Sequence, residues 1–285
     1  MRGIWSAVLT PVDGDFVPDA AVAVPYYREL LERGCDGINL LGTTGEAMSF
    51  GAEERLRFMA AIASSGLPME RVMVGTGAAS IADAVRLTRA AFEYGFAAAL
   101  VLPPFFLREA SDDGILAFYN ALVTRTNPPR RGLLLYNFPR MSGVAFRAPL
   151  VARLLQHFPE LIAGMKDSSN DPQLQSALLR AHSDFALFPG SESDLLAAKG
   201  RGVAGCISGS VALWPELANA VYRDGEEARA RELTQRRGAL DALPFVPAVR
   251  RLVADERREP VWARAVPPQT PLTADEAELL EREAR

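Results

Sequence analysis

The chain has little of the chemistry on which metal, disulfide and nucleic-acid-binding proteins depend. Its 285 residues include only two cysteines and two histidines. Cys35 and Cys206 lie far apart and lack the paired spacing of a metal knuckle or a disulfide framework. The 35 acidic and 31 basic residues are spread along the chain, so no basic stripe is available to bind a nucleic-acid backbone. We expect a protein without nucleic-acid partners, in a reducing compartment.

No apolar run is long enough to span a membrane. The segment Met1–Val12 carries one arginine and is interrupted by Thr10 and Pro11, which is too short and irregular for a signal peptide. We therefore expect a cytoplasmic protein with no membrane partner.

Lysine is also scarce, because Lys166 and Lys199 are the only two in the chain and every other basic side chain apart from the histidines is arginine. Arginine stays protonated and cannot act as a nucleophilic amine. The search for a reactive amine is therefore narrowed to two side chains.

Short apolar, β-rich segments alternate with helical patterns. The eight predicted strands are Gly3–Leu9, Gly37–Leu41, Val72–Gly75, Ala97–Leu102, Leu133–Tyr136, Leu161–Met165, Phe185–Phe188 and Val203–Ile207. Eight β-α units of this kind close a barrel more naturally than they extend an open sheet. An open doubly wound sheet is the alternative, but its GxGxxG turn after the first strand is absent. We predict an α/β fold, a (β/α)8 TIM barrel.

Helix signals lie between and after these strands. The predicted helices are Pro18–Arg33, Ile81–Tyr94 and Gly114–Thr126 within the barrel, and Pro215–Tyr222, Glu226–Ala242, Pro247–Arg257 and Thr273–Ala284 after it. We predict that residues 1–210 form the barrel core through strand 8. Residues 211–285 then supply the last barrel helix and additional C-terminal helices packed on the barrel, in one structural unit.

Lys166 is the stronger candidate for a reactive amine. It follows the apolar strand Leu161–Met165, and residues that end barrel strands face the active site. Burial disfavours the ammonium form and favours the neutral amine that attacks a carbonyl. A buried ion pair with Asp167 is the alternative, although strand alternation points the two side chains to opposite faces. Lys199 precedes Gly200 on a helical stretch and is typical of a solvated helix end.

Hydroxyl groups follow other strands. Tyr136 ends the fifth predicted strand, where its phenol either relays protons or simply packs. Thr43 and Thr44 lie between Gly42 and Gly45, in a loop that can cradle a carboxylate through N–H groups and hydroxyls but is also typical of a plain turn.

Imidazole and metal chemistry have no candidates at the same edge. His157 and His182 lie near the ends of helical segments, away from the predicted barrel mouth. No acidic pair at metal-ligand spacing ends a strand. We expect no metal site, which disfavours a metal-dependent aldolase.

Three motifs together resemble those of the dihydrodipicolinate synthase / N-acetylneuraminate lyase family of class I pyruvate-dependent aldolases. They are Gly42–Glu46, Tyr136–Pro139 continuing to Gly143, and Gly164–Ser169. Gly190-Ser191 and Gly205–Ser208 are similar to later family loops, and the order and spacing hold from about residue 3 to 285.

The resemblance implies a Schiff base between Lys166 and a pyruvate-like 2-oxo acid, with no separate cofactor. It implies that Tyr136 relays protons, that Thr43 and Thr44 bind the carboxylate, and that Ile207 makes a backbone contact. It also implies a homo-oligomer, most often a tetramer in this family. The further substrate-binding positions are Gly190, Glu192 and Ser208, the last two being assigned to a polar pocket for the acceptor aldehyde.

Two departures bear on the substrate. Synthases of the lysine pathway carry an arginine where this chain has Met141, and Arg140 is one residue away. Many also carry a tyrosine pair where this chain has Phe105 and Phe106, and a phenyl ring cannot relay a proton. Both differences favour a relative that acts on 2-oxo-3-deoxy sugar acids or similar aldols.

The sequence thus predicts a lyase that cleaves or forms a carbon–carbon bond between pyruvate and an aldehyde. The alternatives are 4-hydroxy-tetrahydrodipicolinate synthase, a dehydratase that uses the same imine, and a non-catalytic sensor of 2-oxo acids. The aldolase releases an aldehyde with pyruvate, the dehydratase releases water, and the sensor binds a 2-oxo acid without turnover.

Overall fold

A computed structural model describes residues 1–283 as one barrel of eight parallel strands. The strands are β1 (Gly3–Ala7), β2 (Gly37–Leu40), β3 (Val72–Gly75), β4 (Ala98–Val101), β5 (Leu133–Asn137), β6 (Ile162–Asp167), β7 (Ala186–Pro189) and β8 (Gly205–Ser208). They are ordered β7-β6-β5-β4-β3-β2-β1-β8, with every paired strand parallel. A hydrogen bond from Ala204 N to Leu187 O, 2.8 Å long, links the segments of β8 and β7. The predicted (β/α)8 barrel is confirmed.

Helices follow the strands and surround the barrel. Their bounds are α1 (Ala20–Glu32), α2 (Ala52–Ala63), α3 (Ile81–Glu93), α4 (Asp112–Thr126), α5 (Pro139–Ser142), α6 (Ala148–His157), α7 (Pro172–Ala181), α8 (Leu195–Arg201), α9 (Pro215–Asn219), α10 (Glu227–Asp241), α11 (Phe245–Arg257) and α12 (Ala274–Glu283). Several helices begin at a residue whose side chain accepts hydrogen bonds from backbone N–H groups. Asp19 does so for α1 and Asp171 for α7. None of the helices within residues 1–283 combines the length and apolar character needed to cross a bilayer.

Most element boundaries differ from the prediction by one or two residues, and three of the differences are instructive. β6 continues through Lys166 to Asp167, so the lysine lies on the strand and not after it. β8 begins two residues late, at Gly205, whose backbone packs so closely on β1 that an added Cβ would lie 1.8 Å from the Gly3 carbonyl oxygen. The predicted helix Pro215–Tyr222 is α9 followed by a π-helical turn, Ala220–Asp224. Ala284, the predicted end of the last helix, lies outside the described residues.

Apolar side chains fill the inside of the barrel. This inner cluster contains Trp5, Met73, Leu100, Leu134, Phe188 and Ile207, among others. A second, larger core lies between the outer face of the strands and the helices. Because the interior is packed, substrates have access only at an end of the barrel.

The C-terminal helices attach to the barrel through buried polar contacts as well as apolar ones. The hydroxyl of Tyr26 on α1 donates to the Ala212 carbonyl at 3.1 Å, and the Tyr26 ring packs edge-on against Trp262 with centroids 4.9 Å apart. Arg250 on α11 is fully buried and donates to the Thr10 carbonyl beyond β1 at 2.8 Å. The contact of Arg250 with Thr10 holds α11 over the carboxyl ends of the strands.

Candidate active site

A cavity of about 640 Å³ opens at the carboxyl ends of the strands. Lys166 and Tyr136 reach it from β6 and β5, and the loop after β2 contributes Thr43 and Thr44. Residues that follow β5, β6, β7 and β8, together with α10, α11 and the segments next to these helices, form the rest of its wall. The structure therefore brings together in one cavity the amine, the phenol and the two threonines predicted from sequence.

Lys166 lies low in this cavity, with only 4% of its surface exposed. Parallel pairing places it in register with Tyr136 on β5 and Phe188 on β7, so all three side chains share the inner face of the barrel. Its Nζ is 4.7 Å from the centroid of the Tyr136 ring. Among residues 1–283, no carboxylate oxygen lies within 4.0 Å of Nζ.

Asp167 points away from the lysine, as strand alternation predicts. It is fully buried and accepts hydrogen bonds from Asn137 Nδ2 at 2.8 Å and from Gln175 Nε2 at 2.9 Å. The alternative of a buried Lys166–Asp167 ion pair is therefore wrong. Asp167 instead links β6 to β5 and α7, which fixes the strand that carries the lysine.

Tyr136 is 4% exposed, and its hydroxyl lies 3.1 Å from Thr43 Oγ1, where either oxygen can donate. Buried tyrosine hydroxyls need a partner, and those of Tyr26, Tyr27 and Tyr119 bond to backbone carbonyls, whereas that of Tyr136 meets a threonine hydroxyl in the cavity. The contact joins the β5 strand to the loop after β2 and holds the phenolic oxygen near the lysine. This geometry favours the relay interpretation of Tyr136.

The loop Gly42–Glu46 is held rigidly at its far end. Glu46 adopts a left-handed backbone conformation, with φ 51°, and its buried carboxylate pairs with Arg250 and accepts the Val266 N–H at 3.2 Å. Among the described residues, no protein acceptor takes the backbone N–H groups of Thr43 and Thr44. Unpaired N–H groups next to hydroxyls are donors suited to a carboxylate.

Gly209, after β8, supports the same loop by its lack of a side chain. A Cβ at this position would lie 2.6 Å from Thr44 Oγ1 and 3.0 Å from a ring carbon of Phe245. The absence of a side chain at Gly209 therefore allows the loop and α11 to approach each other closely. Gly190, predicted as a substrate-binding position, also lines the cavity, next to Ser168.

Glu192 and Ser208, in contrast, do not line the cavity. Both are buried, and both are bonded to Arg237, whose Nη1 lies 3.2 Å from Glu192 Oε2 and 3.0 Å from Ser208 Oγ. Arg237 is the cavity residue that binds both, and their assignment to the acceptor pocket stays a prediction. A buried carboxylate requires a cation, and Arg237 supplies it.

Ile207 is fully buried inside the barrel, in the apolar cluster that includes Tyr136. It lies below the cavity and contributes no side chain to its wall. The predicted role of its backbone stays a prediction.

The sequence interpretation did not find Arg237 or Asp241. Both lie on α10 and line the cavity, and Nε and Nη2 of the arginine each lie 2.9 Å from Asp241 Oδ1. The only sequence signal for them was an arginine and an aspartate four residues apart. This spacing does not distinguish them, because α10 carries several similar charge pairs on its outer surface.

The two departures from the synthase pattern lie in different places. Met141 and Arg140 both line the cavity at its rim, where Met141 is 53% exposed. Phe106 lies outside the cavity wall and is 85% exposed, and the next residue, Leu107, is also exposed.

The remaining candidates lie away from the cavity. Lys199 is near the end of α8, and its Nζ donates to the Arg223 carbonyl at 3.0 Å. His157 ends α6 and His182 follows α7, at the ends of these helices remote from the carboxyl ends of the strands. Lys166 is thus the one lysine of the chain that reaches the cavity.

Comparison with known proteins gives matches along almost the whole chain. A DapA-like lyase of Chloroflexus aurantiacus is 35% identical over 222 residues, which cover 78% of this chain and 74% of that protein. A 4-hydroxy-tetrahydrodipicolinate synthase of Synechococcus sp. is 30% identical, over 91% of this chain and 83% of its own length. The crystal structure of a dihydrodipicolinate synthase from Agrobacterium tumefaciens superimposes with a TM-score of 0.93 at 30% identity, covering 99% of this chain and 98% of that one.

Fold and relatives together define an enzyme, a barrel lyase of the class I aldolase type. The model of the dihydrodipicolinate synthetase family matches residues 1–283. The chain belongs to this family.

Proposed function

We propose that the protein is a pyruvate-dependent aldolase that forms a Schiff base through Lys166. It cleaves or forms the carbon–carbon bond between pyruvate and an aldehyde, and its aldol is a 2-oxo-3-deoxy sugar acid or a related compound. The observation that carries the proposal is the position of Lys166. Its amine is buried at a cavity, has no carboxylate within 4.0 Å among the described residues, and faces the ring of Tyr136.

The reaction begins when the neutral Lys166 amine attacks the C2 carbonyl of the 2-oxo acid. The carbinolamine loses water to give a protonated imine, which accepts the electron pair as the C3–C4 bond breaks. A base removes the proton of the C4 hydroxyl, so that carbon leaves as an aldehyde. The enamine is then protonated at C3, and hydrolysis returns pyruvate and the free amine.

Tyr136 and the threonines supply the other functions. The Tyr136 hydroxyl moves protons at the carbinolamine and the C4 hydroxyl, and Thr43 Oγ1, 3.1 Å away, orients it. The N–H groups of Thr43 and Thr44, which lack protein acceptors among residues 1–283, bind the substrate carboxylate. No separate cofactor takes part, because the imine itself is the electron sink.

Borohydride reduction in the presence of pyruvate tests the mechanism directly. We expect one reduced adduct, located on Lys166 by peptide mapping. Lys166→Arg removes both the adduct and turnover, because a guanidinium stays charged and cannot attack. Lys199→Arg is the matched control and leaves both unchanged. An adduct on Lys199 or the N-terminus, or turnover by the Lys166→Arg variant, contradicts the proposal.

A turnover screen separates the substrates. It includes sugar-derived 2-oxo-3-deoxy acids, N-acetylneuraminate, and pyruvate with aspartate semialdehyde. Some relatives bear the name 4-hydroxy-tetrahydrodipicolinate synthase. That activity is less well supported here, because Met141 stands at the cavity rim in place of an arginine and Phe106 has no hydroxyl. Loss of water without aldehyde identifies a dehydratase, and an adduct without any turnover identifies a sensor.

We also propose a cytoplasmic homotetramer. Phe106 and Leu107 expose 85% and 73% of their surfaces side by side, which is typical of a surface covered in an assembly. The two cysteines are buried and unpaired, in keeping with a reducing compartment. Sedimentation velocity of the wild type and of Phe106→Asp measures the assembly, and a monomeric wild type contradicts it.

A further inference from the structure

Arg237 and Asp241 are cavity residues that the proposed mechanism does not use. They lie one turn apart on α10, outside the barrel strands, yet both line the cavity that contains Lys166. Their side chains form a salt bridge of 2.9 Å. They differ in exposure, because the Arg237 side chain is 10% exposed and that of Asp241 is 50% exposed.

The hydrogen bonds of this pair leave one donor and one acceptor available side by side. Arg237 Nη1 is used by Glu192, Ser208 and Ser210, and Nε is used by Asp241. Nη2 makes a single bond, to Asp241 Oδ1, so one of its two N–H groups remains. Asp241 Oδ2 accepts no hydrogen bond from any residue of 1–283.

The guanidinium is held in place before a ligand arrives. Its central carbon lies 4.6 Å from the centroid of the Phe245 ring, and Nη1 is fixed by the fully buried Glu192 side chain. A donor whose rotamer is already fixed loses little conformational entropy on binding. This rigidity suits recognition of a ligand with a defined geometry.

The charge balance of the pair disfavours an anion. Two carboxylates, Glu192 and Asp241, face the single guanidinium of Arg237. Arg140, at the cavity rim, has no carboxylate oxygen within 4.0 Å among the described residues, and it is the more suitable partner for a second carboxylate. A neutral group that both donates and accepts fits the Arg237–Asp241 pair better, and adjacent hydroxyls have that property.

Building on the proposed aldolase function, we propose that Arg237 and Asp241 select the acceptor aldehyde by its hydroxyl groups. Nη2 donates to one hydroxyl oxygen, and Asp241 Oδ2 accepts from the neighbouring hydroxyl of an uncharged, polyhydroxylated chain. The pair is a specificity determinant and takes no part in bond making.

Three aldehydes of four carbons test this selection in condensation with pyruvate. D-Erythrose carries hydroxyls, butanal carries none, and succinic semialdehyde carries a carboxylate. We expect the wild type to prefer D-erythrose to butanal in kcat/KM. Asp241→Asn lowers the erythrose-to-butanal ratio about 10- to 100-fold, as expected for the loss of a hydrogen bond to a charged group. An amide oxygen can still accept a hydrogen bond, so Asp241→Ala serves as a second variant that removes both side-chain oxygens. It should lower the same ratio.

For succinic semialdehyde, we expect the Asp241 variants to change kcat/KM in the opposite direction. Removal of the Asp241 charge improves its kcat/KM, because a carboxylate near the cavity wall is replaced by a neutral group. Glu232→Gln is the matched control, since Glu232 pairs with Arg236 on the same helix at the same spacing and does not line the cavity. It leaves all three values and their ratios unchanged.

The outcomes separate this inference from the function on which it rests. Borohydride trapping of pyruvate on Lys166 reports whether the Schiff-base site is intact in each variant. If trapping fails in the wild type, the aldolase proposal is wrong and this inference fails with it. If trapping succeeds but Asp241→Asn leaves the erythrose-to-butanal ratio unchanged, or the wild type prefers butanal or condenses none of the three, only the inference is overturned. A purely structural role for the pair would reduce all three kcat/KM values together and leave the ratio constant.

Discussion

The hydroxyl oxygens of Tyr136 and Thr43 lie 3.1 Å apart and connect β5 to the loop after β2, although these two strands are not neighbours in the barrel. The contact spans part of the barrel mouth beside Lys166, whose Nζ is 4.7 Å from the Tyr136 ring centroid. One short contact therefore determines where the phenolic oxygen lies relative to the amine. Its removal has consequences that can be measured.

Tyr136→Phe should fold normally and lower kcat about 10²- to 10⁴-fold, because it deletes one hydroxyl and keeps the ring. Thr43→Val should lower kcat less, and the double variant should be little slower than Tyr136→Phe, since the threonine acts through the phenol. Steady-state kinetics measure both effects. Tyr119→Phe is the control, because Tyr119 is a buried tyrosine that binds the Val101 carbonyl and does not line the cavity. Wild-type activity in Tyr136→Phe would remove the phenol from the mechanism.

Met141→Arg should not create strong synthesis of 4-hydroxy-tetrahydrodipicolinate. The new guanidinium would lie at the cavity rim, where Met141 is now, but the phenol missing at Phe106 would still be absent. Condensation of pyruvate with aspartate semialdehyde measures the outcome, with Met141→Gln as an uncharged control of similar length. A large gain in condensation from this single change would mean that the acceptor pocket has been misinterpreted.

The buried pair Glu46–Arg250 should contribute strongly to both stability and substrate affinity. Glu46→Gln leaves a fully buried arginine without its charge partner, and breaking such a pair typically costs about 3–5 kcal/mol of unfolding free energy. The same change loosens the loop that carries Thr43 and Thr44, so pyruvate should bind more weakly. Urea unfolding and pyruvate titration measure the two effects. Glu232→Gln, in a surface pair, should change the unfolding free energy by less than about 0.5 kcal/mol. Equal stability of the two variants would contradict this prediction.

The cysteines predict a pH dependence. Burial raises the pKa of the Cys35 thiol to about 12, and burial raises that of Cys206 well above its usual value of 9.0. A thiol whose pKa is raised on folding stabilises the fold fully below its unfolded pKa, and that contribution is lost as the pH rises through the folded pKa. The free energy of unfolding should therefore fall between about pH 9 and 12, and it should fall less steeply in Cys35→Ala. Buried tyrosines act in the same direction, so the difference between variant and wild type is the quantity to measure.

The strand pattern was enough to predict the barrel and the positions of Lys166 and Tyr136. Strand residues alternate between two faces, and the carboxyl ends of all eight strands meet at one edge, so a residue at a strand end has a nearly fixed location. Asp167 could be assigned to the opposite face from Lys166 by the same rule. The family motifs then favoured carboxylate binding over a plain turn for the loop that contains Thr43 and Thr44.

The C-terminal wall of the cavity could not be predicted in this way. A helix that packs on a barrel can be rotated or shifted by a turn without changing its pattern of charges, so nothing distinguished Arg237 from Arg231 or Arg236 on α10. The partner of Glu192 could not be predicted for a related reason. Its sequence position after β7 was identified correctly, but a cation from a segment 45 residues later covers it.

The last strand ends at Ser208, yet the cavity also needs Arg237, Asp241 and Phe245, and the loop after β2 needs Arg250. During translation, all eight strands leave the ribosome before any of these residues. A growing or interrupted chain would then contain Lys166 and Tyr136 while the cavity lacked one wall and the carboxylate loop lacked its anchor. Because α10 and α11 complete the site, selective chemistry begins only after both helices have been made and packed on the barrel.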